Sequence, residues 1–276
     1  MPRAKKSTYC RHSMQKSILT KKEPERSLLV HFPKTGGRNN RGRISMWQRG
    51  GGSRLLWRKI TFGQVQMGKK GKVTSIEYDP NRNAFIMLVE YTDGEKYYML
   101  AAQGIQVGDE IVCDEKTEAA RGNRMKLKNI LPGEVVYNIE LVPGMGGKMA
   151  RSAGTFATIA GHEGKYSQLA FPSSEVRKIL SECFASLGTV SNPEFMYQRV
   201  KNAGRSRLKG RRPNVRGTAM NPVDHPHGGG EGRTSRGMKY PKTPWGKHAL
   251  GVKTRSPKKW TNTFIVERRK KRKKKS

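Results

Sequence analysis

The pattern of apolar and polar positions changes twice along the chain. Up to about residue 60, apolar residues are scattered among Gly, Arg, Asn and Ser with neither a helical nor a strand period. From about Val65 the period becomes two. Lys72–Tyr78, Ala84–Tyr91 and Glu95–Ala101 read as strands, joined by Asp79-Pro80-Asn81-Arg82-Asn83 and by Thr92-Asp93-Gly94. Gly104–Cys113 adds a strand or a strand pair that turns at Gly108-Asp109. A meander this small would leave unpaired edges, so a short closed antiparallel barrel is the economical arrangement.

Leu131-Pro132-Gly133 punctuates the chain, and a second run of short segments follows at 135–141, 155–160, 166–171 and 176–184. Val176, Ile179, Leu180 and Cys183 have helical spacing, yet Pro172-Ser173-Ser174 before them reads as a hairpin turn, which favours a strand. Asn192-Pro193-Glu194 predicts the start of a short helix ended by Gly204 and a basic run. After Lys201 the periodicity disappears again. Gly and Pro are too frequent there for a helix of any length, and the irregular backbone must find its hydrogen bonds in water or on a partner.

Charge sharpens this division. Across 276 residues, 56 Lys+Arg stand against 21 Asp+Glu, a net charge of +35. Residues 1–60 hold 16 basic and 2 acidic residues, residues 61–200 hold 16 of each, and residues 201–276 hold 24 and 3. A neutral β-rich middle between two basic arms is the asymmetry of a nucleic-acid binder, not of a small-molecule enzyme. No stretch approaches 18 uncharged apolar residues, and the first 30 residues lack the apolar run of a secretory signal. Cys10, Cys113 and Cys183 are widely separated, which argues against a disulfide framework or a four-cysteine zinc site and fits a reducing compartment.

Three segments carry candidate chemistry. In Lys34–Arg58, Arg38, Arg41, Arg43, Arg49, Arg54 and Arg58 are interleaved with glycines and with Trp47 and Trp57, a composition suited to phosphates and bases; the plain alternative is a solvated tail. Gly144-Met145-Gly146-Gly147-Lys148 lacks the first Gly and the final Ser or Thr of a nucleotide-binding loop, so Lys148, with Arg151, reads as a phosphate-backbone contact. Asn221–Gly232 contains Asp224-His225-Pro226-His227 followed by Gly228, Gly229 and Gly230. An H-x-H pair can chelate a metal with Asp224 behind it, but no third ligand is near, and no nucleophile elbow is present. The remaining reading is a rigid loop whose glycines permit close approach to folded RNA while the imidazoles bond to phosphate or 2′-hydroxyl. The terminal run Arg268–Lys275 reads as a polyanion-binding tail or a nuclear signal.

The segments GGRNNRGRI (36–44), RGGG (49–52), EYDPNRNA (77–84), ARSAGT (150–155), RGTAMNPVDHPHGGGEG (216–232) and TPWG (243–246) closely resemble the ribosomal protein L-two family of the large subunit, over about 36–267. The resemblance implies a mostly β chain. A basic extension (1–60) precedes an OB-type five-stranded barrel (61–127), an SH3-like barrel (128–200) and a second basic extension (201–276) threaded into rRNA, with 176–184 a strand of the second barrel. It implies a primary rRNA binder that supports subunit association and the peptidyl-transferase region, with no catalysis, no metal and no cofactor of its own, Mg2+ entering only with the RNA. Partners would be large-subunit rRNA, neighbouring ribosomal proteins and the small subunit, with no membrane and no small-molecule substrate.

By the same resemblance, Arg82 and Arg151 bind rRNA; Lys148, Arg216, His225, His227 and Arg233 are further rRNA-binding candidates. Asp224, His225 and Gly228–Gly230 support the peptidyl-transferase region, His225 by holding RNA geometry. Many relatives have His where Gln48 and Ser53 stand, so those contacts are not carried over. Ser53 and the Lys-rich tail resemble some mitochondrial versions, which tilts the expected location towards the mitochondrial matrix over the bacterial cytoplasm. A free-standing RNA chaperone or nucleic-acid-binding protein is the rival reading. The arms are expected to be disordered in the protein alone.

Overall fold

A computed structural model describes residues 18–20, 23–232 and 234–269. The chain divides into two units, one of Leu55–Gln198 with the chain up to Phe32 and from Thr263, the other of Pro33–Arg54 with Arg199–Asn262. In the first unit, β1 (Leu29–Val30) pairs antiparallel with β2 (Trp57–Arg58). The first barrel sheet contains β3 (Lys70–Glu77), β4 (Ile86–Tyr91), β5 (Lys96–Leu100) and β6 (Glu110–Val112), all antiparallel, in the order β5-β4-β3-β6. The expected fifth strand is reduced to a parallel bridge from Ile60 to Tyr98. Residues 104–109 form turns, so only the end of Gly104–Cys113 is strand.

β4 explains where the first arm goes. Met87, Val89 and Tyr91 face the main barrel core with Val73, Phe85, Met99 and Ile111. Ile86 and Leu88 pack on the other face with Tyr98, beneath Leu28 and Ile60. A strand apolar on both sides needs a second cover, and the arm supplies it. Glu25 N–H donates to the Tyr98 hydroxyl at 2.7 Å, which donates to Glu77 Oε2 at 2.7 Å. The 1–60 extension is therefore not one element: its described parts at 23–32 and 55–60 belong with the barrels, and 33–54 belongs to the second unit.

The second sheet is built from β7 (Arg124–Lys126), β8 (Val135–Tyr137), β11 (Ala157–Glu163), β12 (Tyr166–Ala170), β13 (Val176–Leu180), β14 (Phe184–Leu187) and β15 (Ile265–Glu267); β9 (Ile139–Glu140) and β10 (Gly147–Met149) pair separately. Its order is β15-β13-β12-β11-β8-β14-β7. Leu127, Val136, Ile139, Ile159, Leu169, Ile179, Ala185 and Leu187 fill its core. The mostly β, two-barrel fold holds, with three corrections. The stretch 176–184 is a strand and a turn, β14 starting at Phe184. β7 enters the second sheet before residue 128, because its Arg124 is paired inside it. β15 comes from the C-terminal extension and covers the edge of β13.

The helix expected at Asn192 is only a 3-10 segment, Pro193–Tyr197, because Asn192 is left-handed (φ 61°) and caps nothing with its side chain. The α-helix comes later, as α1 (Ala203–Leu208), and includes Gly204. In the second unit, the RGGG segment lies beside the residues after α1: Gly50 N–H donates to Gly210 O, Ser53 N–H to Leu208 O and Arg212 N–H to Gln48 O, at 3.0–3.1 Å. The arms thus satisfy many of their own backbone groups in turns and bridges, contrary to the expectation from composition. Cys113 and Cys183 are free and buried, and burial pushes the Cys183 thiol up to about 12. Cys10, Arg233 and the run from Lys270 lie outside the described residues.

Candidate nucleic-acid interface

Asp79 initiates the turn after β3. Its carboxylate is fully buried, accepts Asn81 N–H at 2.9 Å and pairs with Arg82 Nε at 2.6 Å. The Arg82 guanidinium lies 5.4 Å from the centre of the Phe62 ring. Arg151 lies 4.4 Å from the same ring centre, and its Nη1 donates to Gly147 O at 3.2 Å. Arg82, Arg151 and Lys148 line one cleft of about 470 Å³ together with Asn81, Asn83, Ala150, Ser152 and Thr155. Three residues singled out separately in the sequence therefore share one cleft, and two of them, Arg82 and Arg151, lie over an aromatic ring that no sequence signal marked.

The glycine loop behind Lys148 is fixed from below. Gly147 N–H donates to Phe62 O at 2.8 Å, and a Cβ on Gly147 would fall 2.0 Å from Asn138 Oδ1, so no other residue fits. Gly146 N–H donates to Glu140 Oε1 at 3.1 Å. The same carboxylate accepts Gln64 Nε2 at 2.9 Å and Phe184 N–H at 3.1 Å, and faces Arg124 Nη2 at 3.2 Å; both charged side chains are completely buried. Arg124 Nη1 donates to Asn138 O at 2.8 Å. Burial pulls the Arg124 guanidinium below its ordinary value, and the Glu140 carboxylate opposes that shift. Glu140 and Arg124 were not singled out in the sequence, where a lone Glu and a lone Arg on short strands look like surface residues.

In the second unit, Asn39 organises a tight hairpin. Its side-chain oxygen accepts the N–H groups of Arg41 (3.0 Å) and Arg43 (3.1 Å), and Arg38 bridges to Ile44, so three exposed arginines project from one short loop. Arg49 forms a bridge with Arg211, and Arg54 and Arg216 are exposed. His225 is 6% exposed, and its Nδ1 accepts His227 N–H at 3.0 Å. His227 Nε2 accepts Lys242 N–H at 2.9 Å, and the two rings lie 4.6 Å apart. A Cβ on Gly228 would stand 2.4 Å from Asn221 O, and Gly229 and Gly230 have φ of 91° and 84°.

The histidines do come together, as the H-x-H spacing suggested, but as internal braces. One nitrogen of each already accepts a backbone N–H, and Asp224 is exposed with no side-chain bond to either ring. Desolvation, with His225, Arg236 and Lys242 adding to it, lowers the His227 pKa from 6.5. Among the described residues no three His, Cys, Asp or Glu side chains are grouped to hold a metal ion, and no helix is long and apolar enough to cross a membrane.

Residues 25–113 match the family model described as Ribosomal Proteins L2, RNA binding N-terminal domain, and residues 120–246 that of the L2 C-terminal domain. The large ribosomal subunit protein uL2 of Rhodospirillum rubrum is 48% identical over 256 residues, covering 93% of this chain and 91% of the relative. That of Dinoroseobacter shibae is 49% identical over 261 residues, covering 95% and 93%. Both organisms are bacteria, so the tilt towards a mitochondrial location finds no support in them. By these two adjoining domains and by near-full-length identity, the chain belongs to the ribosomal protein L2 family.

Proposed function

We propose that this chain is a structural, rRNA-binding constituent of the large ribosomal subunit with no catalytic turnover of its own. The observation that carries the reading is the convergence of Arg82, Lys148 and Arg151 on one polar cleft in which a single buried carboxylate offsets only Arg82. The finer assignments follow the same logic. Arg38, Arg41, Arg43, Arg49, Arg54 and Arg216 contact phosphates along the second unit, and Arg233, outside the described residues, is assigned the same role from the sequence. Asp224, His225, His227 and Gly228–Gly230 form a stiff loop that supports the peptidyl-transferase region, where chemistry belongs to RNA. Contact with the small subunit and with neighbouring ribosomal proteins belongs to this reading. So does Mg2+ that arrives only with the RNA.

Sucrose-gradient sedimentation tests it. The protein should co-migrate with the large subunit through a high-salt wash, and release as free protein would reject the reading. Particles carrying His225→Ala should contain the protein with intact barrels yet translate poorly; normal peptidyl transfer in them removes the role given to His225.

A further inference from the structure

We propose that the Arg82–Arg151 cleft seats one unpaired ribonucleotide of the bound RNA, its phosphate between the two guanidinium groups and its ribose against Thr155, Ser152 and Asn83. This rests on the rRNA-binding reading and specifies what enters the site. Two guanidinium carbons at 5.4 and 4.4 Å from one ring centre lie within about 10 Å of each other, and Lys148 lines the same cleft. Asp79 neutralises Arg82 from behind through Nε, leaving that residue's terminal amino groups available. Arg151 spends Nη1 on Gly147 O and keeps Nη2 and Nε. Like charges gathered on one ring with a single carboxylate among them call for an anion with several acceptor oxygens, and a phosphate between two forked donors meets that need.

The rest of the lining is neutral and suits a sugar. Thr155 Oγ1 donates to Ser152 O at 2.7 Å, so what it can offer a ligand is an acceptor lone pair. A ribose 2′-hydroxyl can donate to that lone pair, and a deoxyribose cannot. Asn83 and Ser152 add side-chain donors and acceptors that have no partner among the described residues. A volume of about 470 Å³ falls in the range of sites that take one drug-sized molecule, such as a nucleotide. The backbone of a continuous duplex keeps its sugars and bases in the stack and would leave most of such a cleft unfilled, whereas a nucleotide turned out of a bulge or loop fills it.

The test is 2′-hydroxyl acylation mapping of full-length large-subunit rRNA, free and bound to the full chain, with wild type, Arg151→Ala and Thr155→Val compared. Wild-type protein should protect an unpaired nucleotide that both variants re-expose, Arg151→Ala by about tenfold, as befits a charge-assisted contact, and Thr155→Val by a smaller factor. Protection elsewhere on the RNA reports that each variant still folds and binds. If the wild type binds but the variants alter no unpaired nucleotide, or alter only paired stretches, the one-nucleotide seat is wrong and rRNA binding stands. If the wild type leaves no footprint at all, the rRNA-binding reading itself fails.

Discussion

Every buried apolar side chain among the described residues lies between Val65 and Val190, in the first unit, whereas His225 is the single buried residue of the second. The first unit folds by the ordinary means: three apolar clusters, paired strands and a buried ion pair. The second carries 23 basic and 2 acidic residues in Pro33–Arg54 and Arg199–Asn262, and is shaped by glycine turns, backbone bridges and two imidazoles. Burial stabilises at roughly 25 cal/mol per Å² of apolar surface, and the second unit has almost none to offset the entropy of ordering its chain. The first unit therefore has the apolar burial that a stable fold needs. The second has a defined set of turns but carries a charge that a bound polyanion would have to neutralise.

The largest effect should come from breaking the ion pair of the first unit. Glu140→Ala leaves Arg124 buried without its counter-charge and frees the N–H groups of Gly146 and Phe184, so a loss of about 3–5 kcal/mol is expected in urea unfolding of the full chain. His225→Ala, measured the same way, should leave that transition in place. If the two variants shift it equally, the stability contrast between the units is wrong. Next in size are Arg82→Ala and Arg151→Ala, each weakening binding to an rRNA fragment by about 1–3 kcal/mol and reducing its salt dependence. Unchanged affinity and slope in both would leave the barrels with no part in RNA contact.

The same contrast separates what was legible in the sequence from what was not. Period-two strands from Lys72 to Ala101 and the turn at Pro172-Ser173-Ser174 were visible because local alternation and turn chemistry determine them. The charge of the arms was visible too, but their geometry was not. Nothing local says that Gly50 N–H will meet Gly210 O, or that Leu28 will cover Ile86 and Leu88. Asn192 followed by Pro193 looked like a helix start, yet Asn192 is left-handed and its side chain donates to Asn83 O at 2.7 Å and not to the helix, which leaves only a 3-10 segment. Arg82, Lys148 and Arg151 were each picked out, while Phe62, the ring under both arginines, was not. A buried pair such as Arg124 and Glu140 is invisible until the strands are placed, because charged residues are presumed to face water.

Two smaller effects probe the second unit from inside. Gly228→Ala drives a Cβ against Asn221 O, so the histidine loop should exchange its amide hydrogens faster while the core amides of the first unit keep their protection. Protonation offers a gentler version of the same perturbation. His227 has its pKa lowered from 6.5 in the folded loop, so between that lowered value and 6.5 the unfolded loop binds a proton that the folded loop does not. Loop stability then rises with pH across this window, is fully present above it, and is lost as pH falls towards the folded value. The mechanism is explicit: a protonated Nε2 can no longer accept Lys242 N–H, and the charge faces Arg236 and Lys242. The protection of the Lys242 amide, its exchange rate corrected for the intrinsic rate at each pH, should fall from pH 7.5 down to pH 5, and His227→Gln should flatten that dependence. A Lys242 amide whose protection ignores pH would mean that the loop is held by its glycine turns alone.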